Sequence, residues 1–170
     1  MSTRPPATLL YLFDDPARFP VFVSHTTVKG PVTVQADRDA AGGFLRIAYQ
    51  RQDADLNEGT IVLALPLMAV DGNPRQLLFE VLGDAGPWRL TLEGMDANGG
   101  RVLFSFGVVD LERRCVLRAD ASQSITPLQF HRLRLAVPFS SAVVRLGLRS
   151  VFLTGAVRLV PPGLAQRRGA

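Results

Sequence analysis

An all-β, antiparallel domain is predicted, on three observations. Short runs of period-two alternation recur along the chain, turn residues punctuate it, and no window of helical length has clean 3.6 periodicity without a breaker. Twelve prolines and fifteen glycines supply the punctuation. The 170 residues, 47% hydrophobic and 20% charged, suit one domain with a substantial core. We place it at residues 9–160, between polar or proline-containing tails at 1–8 and 161–170.

Leu9 to Phe13 reads as a first strand that stops at Asp14, Asp15 and Pro16. Val21 to Ser24 and Val32 to Gln35 are two further short strands. From Phe44 to Gln50 the face of Leu45, Ile47 and Tyr49 opposes that of Arg46, Ala48 and Gln50, as in a half-buried strand. Ile61 to Leu65 follows, ended by Pro66, which removes a ladder donor, and Leu67 to Pro74 reads as a connection.

Leu77 to Phe106 holds a three-stranded meander, its turns at Gly83 to Pro87 and Asp96 to Gly100. In the middle strand Trp88, Leu90 and Leu92 alternate with Arg89, Thr91 and Glu93. In the next, Val102, Phe104, Phe106 and Val108 oppose Ser105 and Gly107. Asn98 and Gly99 suit the tight hairpin between them, since both tolerate positive φ. Cys115 to Arg118 is a possible strand, and Arg132 to Val137 alternates again, with Leu133, Leu135 and Val137 on its apolar side. Val143 to Leu153 is ambiguous, because Arg145 and Arg149 at i, i+4 suit a basic helix face while Gly147 and the β-branched valines favour a strand. Ala156 to Val160 is the last strand expected.

The order of these pieces resembles the galactose-binding-like jelly rolls, especially carbohydrate-binding modules appended to bacterial glycoside hydrolases. The similarity runs through Leu12 to Asp15 (LFDD), Gly43 to Tyr49 (GFLRIAY), Leu65 to Leu67 (LPL), Pro74 to Phe79, Val81 to Asp84 (VLGD), Asp96 to Gly99 (DANG) and Thr154 to Arg158 (TGAVR). It implies a two-sheet jelly-roll β-sandwich without catalytic activity that recognises a glycan on one sheet face, and a structural calcium to which Asp14 and Asp15 would contribute. Two departures stand out. No Gly-Trp pair occurs between Gly107 and Arg118, and Arg158 stands near the place of a late acidic residue.

The chemistry the residues allow is consistent with binding. Residues 1–85 carry 7 basic and 10 acidic side chains, residues 86–170 carry 12 and 5, so the second half is basic and suits an acidic glycan better than a neutral surface would. The same asymmetry would suit nucleic acid or anionic lipid, and arginines solvating outward strand positions account for it without any polyanion; nucleic acid is not the expected partner. Glu80, Arg89, Thr91, Arg132 and Arg134 are expected to converge on one polar sheet face, where arginine pairs with carboxylate or sulfate. Tyr49 and Trp88 are the aromatics most able to stack on a sugar, yet each shares a strand face with Ile or Leu, which predicts core instead. Asp53, Asp55 and Asn57 imitate the start of an EF-hand loop, but Glu58 replaces its glycine and Ala64 its final glutamate.

His25 and His131 have no partner at metal or triad spacing, Ser140 and Ser141 lie outside any nucleophile elbow, and Cys115 is the only cysteine. No enzyme is therefore expected. The alternative to a glycan is a partner protein or a second copy docking on the same face. The N-terminus lacks the long apolar region of a secretory signal, and no run approaches the roughly 20 apolar residues of a membrane span, so a cytoplasmic location is expected.

Overall fold

The computed structural model describes residues 6–50, 59–83, 88–109, 114–137 and 143–160. The expected tails apart from residues 6–8, the loop with Asp53 to Glu58, most of the turn ending at Pro87, and Ser140 with Ser141 lie outside the described residues. Ten strands are present: β1 (Ala7–Leu12), β2 (Phe22–Thr26), β3 (Val32–Asp39), β4 (Gly42–Gln50), β5 (Gly59–Gly83), β6 (Trp88–Met95), β7 (Arg101–Val109), β8 (Arg114–Asp120), β9 (Leu128–Val137) and β10 (Val143–Val160). No helix long and apolar enough to cross a membrane occurs among the described residues.

Every pairing is antiparallel, and β5 joins two layers. Its first half pairs with β9 and β2, and its second half with β10 and β8. One layer therefore runs β3, β4, β10, the second half of β5, β8, with β1 alongside β10 beyond the end of β4. The other runs β2, the first half of β5, β9, β6, β7. This is the two-layered sandwich the sequence predicts.

The core fills the space between the layers. Leu45, Ile47 and Tyr49 meet Leu63, Leu90, Leu92, Leu133 and Leu135 in one buried cluster. Aromatic rings thread it: Phe13 stacks on Phe79 at 5.8 Å, and Phe79 meets Phe106 of the opposite layer edge-on at 5.3 Å. The Tyr11 hydroxyl, 2.7 Å from the Pro66 carbonyl and 3.1 Å from that of Phe130, ties β1 to the other layer. Burial raises its pKa above the ordinary phenol value, so it remains a hydrogen-bond donor.

Four expectations are corrected. Pro66 does not end its strand: it sits where the β5–β9 ladder shifts between Ala64 and Met68, a bulge that asks for no amide donor. Residues 67–74 are accordingly strand, and β5 uses them to pass between layers. Val143 to Val160 is one strand, neither a helix nor two strands, because β5 pairs along one edge from Leu146 to Val160 while β4 and then β1 pair along the other. Val108 does not continue the apolar face of Phe104 and Phe106. Gly107 takes a φ of 79°, which flips the register so that Val109 points inward and Val108 is 45% exposed. The Asp96 to Gly100 hairpin does form as expected, with Gly99 at φ 78° and the Asp96 carboxylate accepting from the amides of Asn98 and Gly100.

Candidate functional site

The sandwich has two outer faces, and their charges are arranged differently. On the β3–β4–β10–β5–β8 layer Arg46, Arg114 and Arg149 are engaged by carboxylates, while Arg118 and Arg145 make no ion pair with another described residue. A bulge in β10 between Leu148 and Ser150 holds Arg149, 7% exposed, against Asp39 at 2.7 Å and Glu80 at 3.1 Å. Its guanidinium also donates to the Gly43 carbonyl and lies 5.6 Å from the Phe44 ring centre. Arg114 closes on Glu80 at 2.6 Å, and Arg46 on Asp37 at 2.9 Å. Glu80 therefore does not join Arg89 and Arg134 as expected. It lies on the second half of β5, after that strand has crossed to the other layer.

On the β2–β5–β9–β6–β7 layer, strand register assembles three outward rows. One runs Phe22, Ala64, Arg132, Glu93, Leu103; the next His25, Val62, Arg134, Thr91, Ser105; the third Thr60, Ala136, Arg89, Val108. Arg89, Thr91, Arg132 and Arg134 thus come together on one face, as predicted. The intervening positions are small, so the floor is low between the flanking side chains. Phe22 is 62% exposed, directed outward because its neighbours Val21 and Val23 pack on the core. Arg89 and Arg132 make no ion pair with another described residue.

At the end of the first row a cavity of about 350 Å³ is lined by Glu93, Met95, Arg101, His131, Arg132 and Arg134, among others. The Glu93 carboxylate, 3% exposed, accepts through one oxygen from Arg101 at 2.7 Å and from Arg134 at 2.9 Å. Burial pushes its pKa up, but the hydrogen bonds and charges of the two arginines outweigh burial and hold it below the ordinary glutamate value. His131 is lowered too, first by burial and then by Arg132 and Arg101, against the opposing charge of Glu93. It is neutral at pH 7.

A depressed carboxylate stabilises the fold above its unfolded pKa and ceases to do so as pH falls through its folded value. Glu93→Gln is accordingly expected to melt below the wild type at neutral pH, with the gap closing in acid below about pH 4. Parallel thermal melts across pH check this, and a gap that widens in acid would reverse the assignment.

The two aromatics singled out from sequence are not on this face. Trp88 is 0% and Tyr49 3% exposed, because each continues the inward register of its strand, so neither ring offers a face to a ligand. The exposed aromatic among the described residues is Phe22, which pattern reading passed over because its strand is short and its alternation covers only a few residues. Asp14 packs against Gly43, and the Asp15 carboxylate accepts from the Arg18 amide. No group of three or more His, Cys, Asp or Glu side chains is gathered among the described residues, and a hard cation takes six to eight oxygens. Asp14 and Asp15 therefore do not fit a calcium site by themselves.

No protein-family model matches the chain, and no curated protein matches it in sequence. Solved structures do match in fold. A family 11 carbohydrate-binding module from Clostridium thermocellum, solved in complex with a β-1,3-1,4-mixed-linked tetrasaccharide, superposes with a TM-score of 0.59 at 11% identity, over 91% of this chain and 98% of that one. The module TmCBM61, in complex with β-1,4-galactotriose, gives 0.51 at 10% identity over 81% and 89%. The enzymatically active domain of tailspike protein 4 of bacteriophage CBA120 gives 0.58 at 11% identity, over 86% of this chain and 20% of that one. The fold is the jelly-roll sandwich of carbohydrate-binding modules, as the sequence resemblance implies.

Proposed function

We propose that this protein is a non-catalytic glycan-binding module whose ligand lies across the strands on the outer face of the β2–β5–β9–β6–β7 layer. The observation that carries this is the row from exposed Phe22, over Ala64, to Arg132. Two strand spacings, roughly 10 Å, separate the backbones that carry the aromatic and the arginine. Between them only a methyl group rises from the floor. An aromatic face suits the C–H face of a sugar ring, while Arg132, Arg134 and Thr91 supply donors for its oxygens. The opposite outer face suits a stacked ligand less well, since none of its described aromatic side chains is exposed and Arg46, Arg114 and Arg149 are engaged by Asp37, Asp39 and Glu80.

Binding without chemistry fits the carboxylate count. Glycoside hydrolysis generally uses two carboxyl groups flanking the scissile bond, whereas Glu93 is the one carboxylate along these three rows and two arginines engage it. The fold likeness to glycan-bound modules supports the same reading.

The test is a glycan array followed by Phe22→Ala. A ring this exposed contributes little to stability, so the variant is expected to keep the wild-type melting temperature while losing about tenfold or more in affinity for whatever the array retains. An array that retains nothing, or a variant that binds as well as the wild type, would overturn the reading.

A further inference from the structure

The cavity beside Glu93 has a composition that a neutral sugar does not require. Three arginines, Arg101, Arg132 and Arg134, line it with one carboxylate, and His131 adds no negative charge in either protonation state. Glu93 is 3% exposed, and its two partners, Arg101 and Arg134, are 60% and 42% exposed. The carboxylate is thus below the surface and the guanidiniums above it. Each partner gives Glu93 one nitrogen and has further N–H groups left to offer. Glu93 thereby fixes two long side chains that would otherwise lose rotamer freedom on binding a ligand, which is how preorganisation raises affinity. Arg132 stands opposite Glu93 in the β6–β9 register with no ion pair to another described residue.

We propose that this cavity is a subsite for an oxyanion substituent of the bound glycan, a uronate carboxylate or a sulfate ester, held by Arg132 together with the outward N–H groups of Arg101 and Arg134. The inference rests on the glycan-binding reading and adds to it the charge of the ligand and the end of the row at which that charge sits. A sugar over Ala64 reaches Phe22 on one side and presents its substituent toward Arg132 on the other. Planar guanidinium forks pair with carboxylate and sulfate oxygens through two parallel hydrogen bonds, so the subsite recognises geometry as well as charge. Oxygens of neutral hydroxyls would leave most of this donor capacity unused.

The experiment measures binding to oligosaccharides arranged as sets of one backbone each: neutral, uronate-bearing and sulfated. Inorganic sulfate is a separate probe, and wild type is compared with Arg132→Ala. Arg132 is exposed and unpaired among the described residues, so its removal is expected to leave the melting temperature unchanged. Wild type is expected to prefer an acidic member of a set over its neutral parent by about tenfold or more, and the preference should shrink as salt rises. Arg132→Ala is expected to bind the neutral parent more weakly than wild type does, having lost a donor to the ring oxygens, and to bind acidic and neutral members of a set alike. If acidic and neutral members of every set bind alike, or if the preference survives in Arg132→Ala, the subsite is refuted while glycan binding stands. Should no oligosaccharide bind at all, both readings fall. Inorganic sulfate binding as tightly as the best acidic oligosaccharide would make the cavity a free-anion site and overturn its assignment to a glycan substituent.

Discussion

Trp88→Ala is expected to destabilise the protein by about 3–5 kcal/mol, the range for deleting a buried aromatic. The ring is 0% exposed at the start of β6, where it begins the inward register that Leu90 and Leu92 continue, all three within one core cluster. Deleting it removes the transfer free energy of a large apolar surface and leaves a cavity that strands paired on both sides collapse into only partly. Urea denaturation measures the effect: the midpoint should fall with the slope unchanged. Glycan affinity per folded molecule should hold, because Trp88 faces away from the outer rows. A loss of affinity at unchanged stability would move the ring from core to binding platform.

That contrast marks how much the sequence discloses. Inward positions were legible wherever period-two alternation ran for five residues or more, as at Leu45 to Tyr49 and Leu133 to Val137, because strand geometry alone assigns them. The same rule placed Thr91, Arg132 and Arg134 on one outer face. It failed at bulges. Pro66, Gly107 and Arg149 each stand where the register shifts or the backbone takes positive φ, and a one-residue shift sends every later side chain to the other face. Glu80 was misplaced for a topological reason. Nothing local in Ala69 to Pro74 announces that one strand serves two layers, since crossing is decided by which neighbours pair with it. Phe22 was hidden by brevity, and the convergence of Arg101 and Arg134 on Glu93 joins residues 8 and 41 positions apart, a distance that no motif spans.

Arg149→Met is expected to cost about 3 kcal/mol, the lower end for breaking a buried ion pair. The guanidinium is the cation that β3 and β5 share through Asp39 and Glu80, and it also donates to the Gly43 carbonyl of β4. Methionine keeps an unbranched aliphatic stem but removes the guanidinium that lies 5.6 Å from the Phe44 ring centre and leaves Glu80, 17% exposed, with Arg114 alone. The lower end is chosen for that remaining partner, and because the Arg149 Nε and Glu80 carboxylate, although 3.1 Å apart, are not aligned as a hydrogen bond. If the loss comes from an uncompensated carboxylate, neutralising it should recover part of the stability. The double variant Arg149→Met, Glu80→Gln should then be more stable than the two single losses added together. Chemical denaturation of all four proteins gives the coupling directly, and strict additivity would reduce the network to independent surface pairs. Glycan binding supplies the control, because the network lies on the layer opposite Phe22 and Arg132: a folded Arg149→Met protein should bind as wild type does, and a selective loss of binding would relocate the site to this face.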